Sequence, residues 1–217
     1  VKVLQTVTSE GYTVQITWDG QVIKIYGADA DIDADGANGQ HGAKPAYNDT
    51  DTGSEYLANG GMGIKNGKVV FTESWGENIA VVGPDGNPLV INHVVVSKTS
   101  YRIPGLPSDH PAAYVDSQVV PYAVVNNSMI SGVDPIVLGC ACRVRYKKGP
   151  WITGMAADTG PTTKCGEISI AMAELLGIPS SPRSGGTNEP DLDYEFYPGV
   201  PSGYTETLTI PLPLQPA

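Results

Sequence analysis

WITGMAADTGPTTKCGEISIAMAELLG, residues 151 to 177, passes from an apolar strand pattern, through a turn of Thr, Gly and Pro, into a helical pattern. WITGMAA brings a strand into a core, and Gly160-Pro161 reverse the chain. Ile168, Ala171, Met172, Leu175 and Leu176 then recur at the spacing of a single apolar helix stripe, which Gly177 and Pro179 end. The spacing predicts a helix that Glu167 begins, with Ile168, Met172 and Leu175 buried beneath it. Asp158 stands where the strand leaves the core. Two carboxylates, nine positions apart, are therefore expected at one end of the same turn.

Outward from this stretch the chain reads as β-rich. It has 217 residues, 41% of them apolar and 17% charged, with 26 Gly and 18 Pro, a mixture that suits short strands joined by many turns. YTVQITWDGQVIKIYG alternates around Asp19-Gly20 and predicts a hairpin of two edge strands. VVFTES, NIAVV, LVINHVVVSKTSY, YVDSQVVPYAVV, PIVLGCACRVRY and ITGMAA follow, each bounded by turn residues, and each is expected to be a strand. With one central helix this is a mainly β, α+β fold. A single catalytic domain over 1–217 is expected, with an N-terminal hairpin extension at 1–21 and an extended, Pro-punctuated tail at 205–217.

Charge and cysteine content remove several classes of function. The formal charge of −10, with 13 basic against 23 acidic residues, argues against nucleic acid and favours a cationic ligand. No run approaches the roughly 18 apolar residues of a membrane span, and the opening VKVLQTVTSE has no basic, apolar leader, so a soluble chain with no membrane partner is expected. Cys140, Cys142 and Cys165 permit at most one disulfide. With His41, His93 and His110 unpatterned, neither a zinc site nor any other cofactor is expected.

Residues 29 to 53, DADIDADGANGQHGAKPAYNDTDTG, read as a long acidic loop without period. Asp31, Asp33, Asp35 and Gly36 begin like a calcium loop, but position twelve is Gly42 rather than Glu and no helices flank the run, so no metal is assigned. Two acids on opposite walls of a groove are what glycoside hydrolysis needs, one to protonate the leaving oxygen and one to activate water or attack carbon. The plainer alternative is that Glu167 complements a helix N-terminus and Asp158 satisfies turn amides. If both are catalytic, helix amides favour ionised Glu167 as the base and burial suits Asp158 as the acid; the opposite assignment stays open.

ADTGPTTKCGEISIAMAELLGIP, with DIDADGA, AYNDTDTGSEYLANGG, VVVSKTSY and YVDSQVVPY before it and PRSGG and YEFYPG after it, resembles the chitosanases of glycoside hydrolase family 75. The seven words run in family order across approximately residues 22 to 199. The resemblance implies a secreted endo-chitosanase that cleaves β-1,4-linked glucosamine with inversion on a six-stranded double-psi β-barrel, with Asp158 and Glu167 as the catalytic pair. The DTG turn also resembles the active-site corner of double-psi lytic transglycosylases, where the Asp is the acid. On the same resemblance Asp33 and Asp35 line the groove and meet glucosamine ammonium groups. Lys98, Ser100, Thr159 and Asp116 are further candidate substrate contacts, with Tyr47, Tyr56 and Trp75 as stacking platforms. The partner implied is cationic chitosan, taken by a monomer. The alternatives are a carbohydrate-binding or calcium-dependent adhesion module, and a hydrolase of another cell-wall glycan such as peptidoglycan.

Overall fold

The computed structural model describes residues 1–9, 11–39 and 46–203; Gly42 and the tail at 205–217 lie outside the described residues. Strands β1 (Lys2–Ser9) and β2 (Tyr12–Trp18) pair antiparallel, and a turn at Asp19-Gly20 leads into β3 (Ile23–Asp33). The Asp19 carboxylate accepts from the Gln21 and Val22 amides at 2.9 and 2.8 Å, which closes the expected hairpin. β3 runs on to Asp33, so the first five residues of the expected acidic loop are strand, not loop. Their Ala and Ile side chains alternate inward, a period hidden in the sequence by the intervening aspartates.

Residues 34–39 and 46–121 form an insertion between β3 and the next barrel strand. It holds a 3-10 turn (Leu57–Gly60), the hairpin β4 (Met62–Lys65) and β5 (Lys68–Phe71), a one-turn helix α1 (Gly76–Ile79), and the hairpin β6 (Val90–Ile91) and β7 (Val94–Val95). Ala46, Tyr47, Leu57, Met62, Val69 and Val95 give it an apolar cluster of its own. NIAVV is not the expected strand: it enters α1 and then makes only isolated bridges at Ala80 and Val82.

The remaining elements are β8 (Tyr122–Asn126), α2 (Asn127–Gly132), β9 (Cys140–Tyr146), β10 (Ile152–Gly160), β11 (Glu167–Ser169), α3 (Ile170–Leu176) and β12 (Thr187–Pro201). Six strands close into a barrel in the order β3-β11-β8-β10-β9-β12 and back to β3. β3/β11 and β8/β10 are parallel, and the other four neighbours are antiparallel. β3 is thus a barrel stave rather than an edge. Ile23, Ile25, Ala30, Ala123, Val144, Ile168, Tyr194 and Phe196 fill the interior. Outside, Arg143–Glu195 and Arg145–Asp193 pair across β9 and β12, with Trp151 4.4 Å from both guanidinium groups. All three cysteines are free thiols. Among the described residues no helix is long and apolar enough to cross a membrane.

Among the described residues the expected single helix is replaced by three short ones, and α3 begins later than its apolar stripe suggests. Ser169 is its N-cap and accepts from the Met172 amide at 3.1 Å. Ile168 is therefore a strand residue pointing into the barrel, and Leu175 is 58% exposed instead of buried. Glu167 lies in β11, paired with Asp31, because Gly166 at φ +95 turns the chain into that strand. A Cβ at Gly166 would stand 2.5 Å from the Asp29 carbonyl and 2.4 Å from its carboxylate. Gly166→Ala is therefore expected to destabilise the chain by about 2 kcal/mol or more, from the left-handed penalty plus backbone displacement. Thermal unfolding unchanged by this substitution would refute the close approach.

Candidate active site

Asp158 lies near the end of β10, beyond a register shift against β8 between Ala156 and Asp158. Such a bulge re-aims a side chain. Here it brings the carboxylate, 7% exposed, under the segment that carries Ser100. One oxygen, Oδ1, accepts from the Ser100 amide (3.0 Å), the Ser100 hydroxyl (2.6 Å) and the Thr159 amide (2.6 Å). The Ser100 and Thr159 hydroxyls are also 2.6 Å apart. Burial raises the Asp158 carboxyl above its usual range, and these donors oppose that rise. Ser100 and Thr159, expected as substrate contacts, line the groove and also hold Asp158.

Glu167 opens β11 and is half-buried. Among the described residues its carboxylate accepts no hydrogen bond. Burial pushes it up to about 7, helped by the charges of Asp158 and Asp31 and opposed by Lys164. Because Glu167 is not at a helix N-terminus, the amide-dipole argument for its ionised form fails, and the shift runs the other way. Gly160 lies between the two acids: a Cβ built there would be 3.7 Å from Glu167 Oε2. Glu167 lines a crevice of about 10 Å³ with Asp31, Asn126 and Lys164. Asp158 faces a groove of about 510 Å³ bounded by Asp35, Asn78, Lys98, Arg102, Tyr114 and Thr159.

Asp33 is buried away from the groove, whereas Asp35 is half-buried and lines it. Asp33, at the end of β3, is 7% exposed, with a carboxyl oxygen within 4.8 Å of one of Asp158. It accepts from the Asp35 amide at 2.9 Å. The Tyr122 hydroxyl sits between the Asp33 carboxylate and the Asp35 carbonyl, 3.3 Å from the latter. Gly36 presses this turn against the insertion, since a Cβ there would lie 1.8 Å from the Val115 carbonyl. Asp35 Oδ1 is buried without a hydrogen-bond partner. Oxygens of Asp33, Asp35 and Asp158 all lie within 4.8 Å of one another. Two full charges at that distance repel by roughly 3 kcal/mol at an effective dielectric of 20, so the three cannot all be ionised. Burial, reinforced by this repulsion, holds Asp33 and Asp35 well above the usual carboxylate range.

The other expected contacts divide. Lys98 lines the groove; its ammonium donates to the Glu77 carbonyl at 2.7 Å, and burial lowers its pKa. Tyr47 is 5% exposed inside the insertion's core, so it is no stacking platform; its hydroxyl is held protonated by burial and by Asp35 and Glu55. Asp116 is 1% exposed and accepts from the Gln118 amide at 2.9 Å, a brace rather than a substrate contact. Tyr56 is exposed but lies 3.6 Å under the Arg183 guanidinium, and Trp75 is exposed on the insertion. Arg102, Asn78, Tyr114 and Tyr122 went unrecognised in the sequence. Tyr114 and Tyr122 are the first and last residues of the family word YVDSQVVPY, whereas no such word holds Arg102 or Asn78.

Compared with known proteins, the chain matches no protein-family model, and no curated protein matches its sequence.

Proposed function

We propose that the chain is a secreted endo-chitosanase that hydrolyses β-1,4-linked glucosamine polymers with inversion. The observation that carries the reading is the division of labour between two acids on β10 and β11, the strands that flank β8. Asp158 is surrounded by donors that favour its anion, and Glu167 lacks them and keeps a proton up to about pH 7. Asp158 then acts as the base and Glu167 as the acid. Inverting enzymes keep their two carboxyl groups roughly 6.5–9.5 Å apart, which leaves room for a water. In the step, Asp158 takes a proton from water as its oxygen bonds to the anomeric carbon. The glycosidic bond breaks, and the leaving oxygen takes the Glu167 proton. Two parallel strand pairs in a closed six-stranded barrel support the double-psi assignment. The formal charge of −10 suits a polycation.

Lys98 and Arg102 beside Asp158 favour a second reading, a hydrolase of a glycan that carries acidic groups, such as peptidoglycan. Incubation with soluble chitosan, N-acetylated chitin and peptidoglycan in parallel, following reducing ends and viscosity, decides between them. Chitosan is expected to lose viscosity early, as endo cleavage requires. Release from peptidoglycan alone, with KM raised by Arg102→Ala, would establish the second reading, and release from none of the three would remove both.

A further inference from the structure

Two carboxylates cannot hydrogen-bond to each other unless one of them carries a proton. Asp33 on β3 and Asp158 on β10, three staves apart in the barrel order, bring buried carboxyl oxygens within 4.8 Å of each other, a spacing that favours one shared proton, and their surroundings are unequal. Asp158 has three donors on a single oxygen and faces the groove. Asp33 has the Asp35 amide and a share of the Tyr122 hydroxyl, and does not line the groove. The groups around Asp33 are acidic or phenolic: Asp35 on the following turn, Tyr122 on β8, Glu167 on β11 and Asp158 on β10. Glu55 and Tyr47 of the insertion stand next, beside Asp35. Lys98 and Arg102 lie along the groove beyond Asp158.

We propose that Asp33 is a positioning residue that stays protonated and donates its hydrogen bond to Asp158, so that Asp158 is held in place as the anionic base. The assignment rests on the hydrolytic reading above for its consequence, but not for its geometry. During turnover the Asp33 proton is not transferred: water's proton goes to Asp158, the Glu167 proton goes to the leaving oxygen, and solvent restores both. The role differs from that expected from the sequence, in which Asp33 is an anion that pairs with a glucosamine ammonium group.

Asp33→Asn and Asp33→Ala separate the two roles. The Asp33→Asn amide keeps an oxygen for the Asp35 amide and puts an N–H donor where the proton was. It is therefore expected to retain at least about a third of wild-type kcat. Asp33→Ala removes the donor and is expected to lose about tenfold or more in kcat, within the range for general acid–base groups, with KM nearly unchanged. The acid limb of its pH profile moves up by about one unit, because Asp158 ionises less readily without the donor. Independently of any substrate, carbon-13 NMR titration of the wild-type carboxyl groups is expected to show Asp33 still protonated at a pH where Asp158 is ionised. Both carboxyls ionised below pH 5 would overturn the proposal whatever the activity. So would equal inactivity of the two variants with a raised KM, which marks Asp33 as a substrate-facing anion, or wild-type kcat and pH profile in both. Loss of several degrees of Tm on chelation, restored by calcium, would overturn it by making the trio a cation site. If the titration holds but chitosan is not cleaved, the proton-holding pair stands and the chitosanase reading falls.

Discussion

Glu167→Gln is expected to lower the rate of chitosan cleavage by roughly 10²- to 10⁴-fold, the usual cost of losing a general acid. The amide has nearly the same shape as the acid but has no proton to give to the leaving oxygen. The size of the effect rests on where the sequence folds Glu167: in a strand, half-buried, with no hydrogen-bond donor among the described residues to favour its anion and with Asp158 and Asp31 nearby to oppose it. A carboxyl pushed up to about 7 is still protonated at the mildly acidic pH where chitosan is soluble. Wild-type activity should accordingly fall as pH rises through about 7. Initial rates of reducing-end release test both statements. A variant that keeps more than about half the wild-type rate takes Glu167 out of the chemistry.

The same substitution is expected to make the folded chain more stable above neutral pH. Glu167 carries a folded pKa of about 7 against an ordinary value of 4.5. A carboxyl raised in this way contributes stability that is fully present below about pH 4.5 and is lost as pH rises through about 7, because the folded state must then hold an ion it disfavours. The shift corresponds to up to about 3 kcal/mol, or roughly 6–12 °C in Tm for a chain of this size. Gln has no such ionisation. Calorimetric scans from pH 4 to 8 should show wild-type Tm falling across that window while Glu167→Gln falls less, so that the inactive variant is the more stable at pH 8. Parallel curves would mean that Glu167 ionises in the folded chain as readily as in the unfolded one.

Local patterns in the sequence located much of this arrangement. The Asp19-Gly20 hairpin, the strand that delivers Asp158 and the turn after it follow from alternation and turn chemistry, and each is present. The error at Glu167 has a definite cause. EISIAMAELL carries an apolar stripe that a helix and a strand leading into a helix both satisfy over its first residues, and the choice is made by Ser169 as a cap and by pairing with Asp31, a partner 136 positions away. The aspartates of β3 misled for the same type of reason. Asp29, Asp31 and Asp33 look solvated when read as neighbours in sequence, yet the strand turns Asp29 and Asp33 away from water and leaves Asp31 exposed to meet Lys164 at 2.9 Å. The contact between Asp33 and Asp158 joins residues 125 positions apart, and no local pattern encodes it.

The order in which the barrel closes bears on how the chain is made. β12 is the stave between β3 and β9, and it is the last of the described strands to be synthesised. Until Thr187–Pro201 has left the ribosome, a nascent chain holds β3 and β9 with their facing edges unpaired, although every carboxyl of the site has already been translated. Open edges recruit other strands, and pairings this distant in sequence form slowly. Synthesis that pauses before Thr187 should therefore be the step most exposed to aggregation, and a chaperone that shields sheet edges should help the yield of this protein more than one that acts on finished chains.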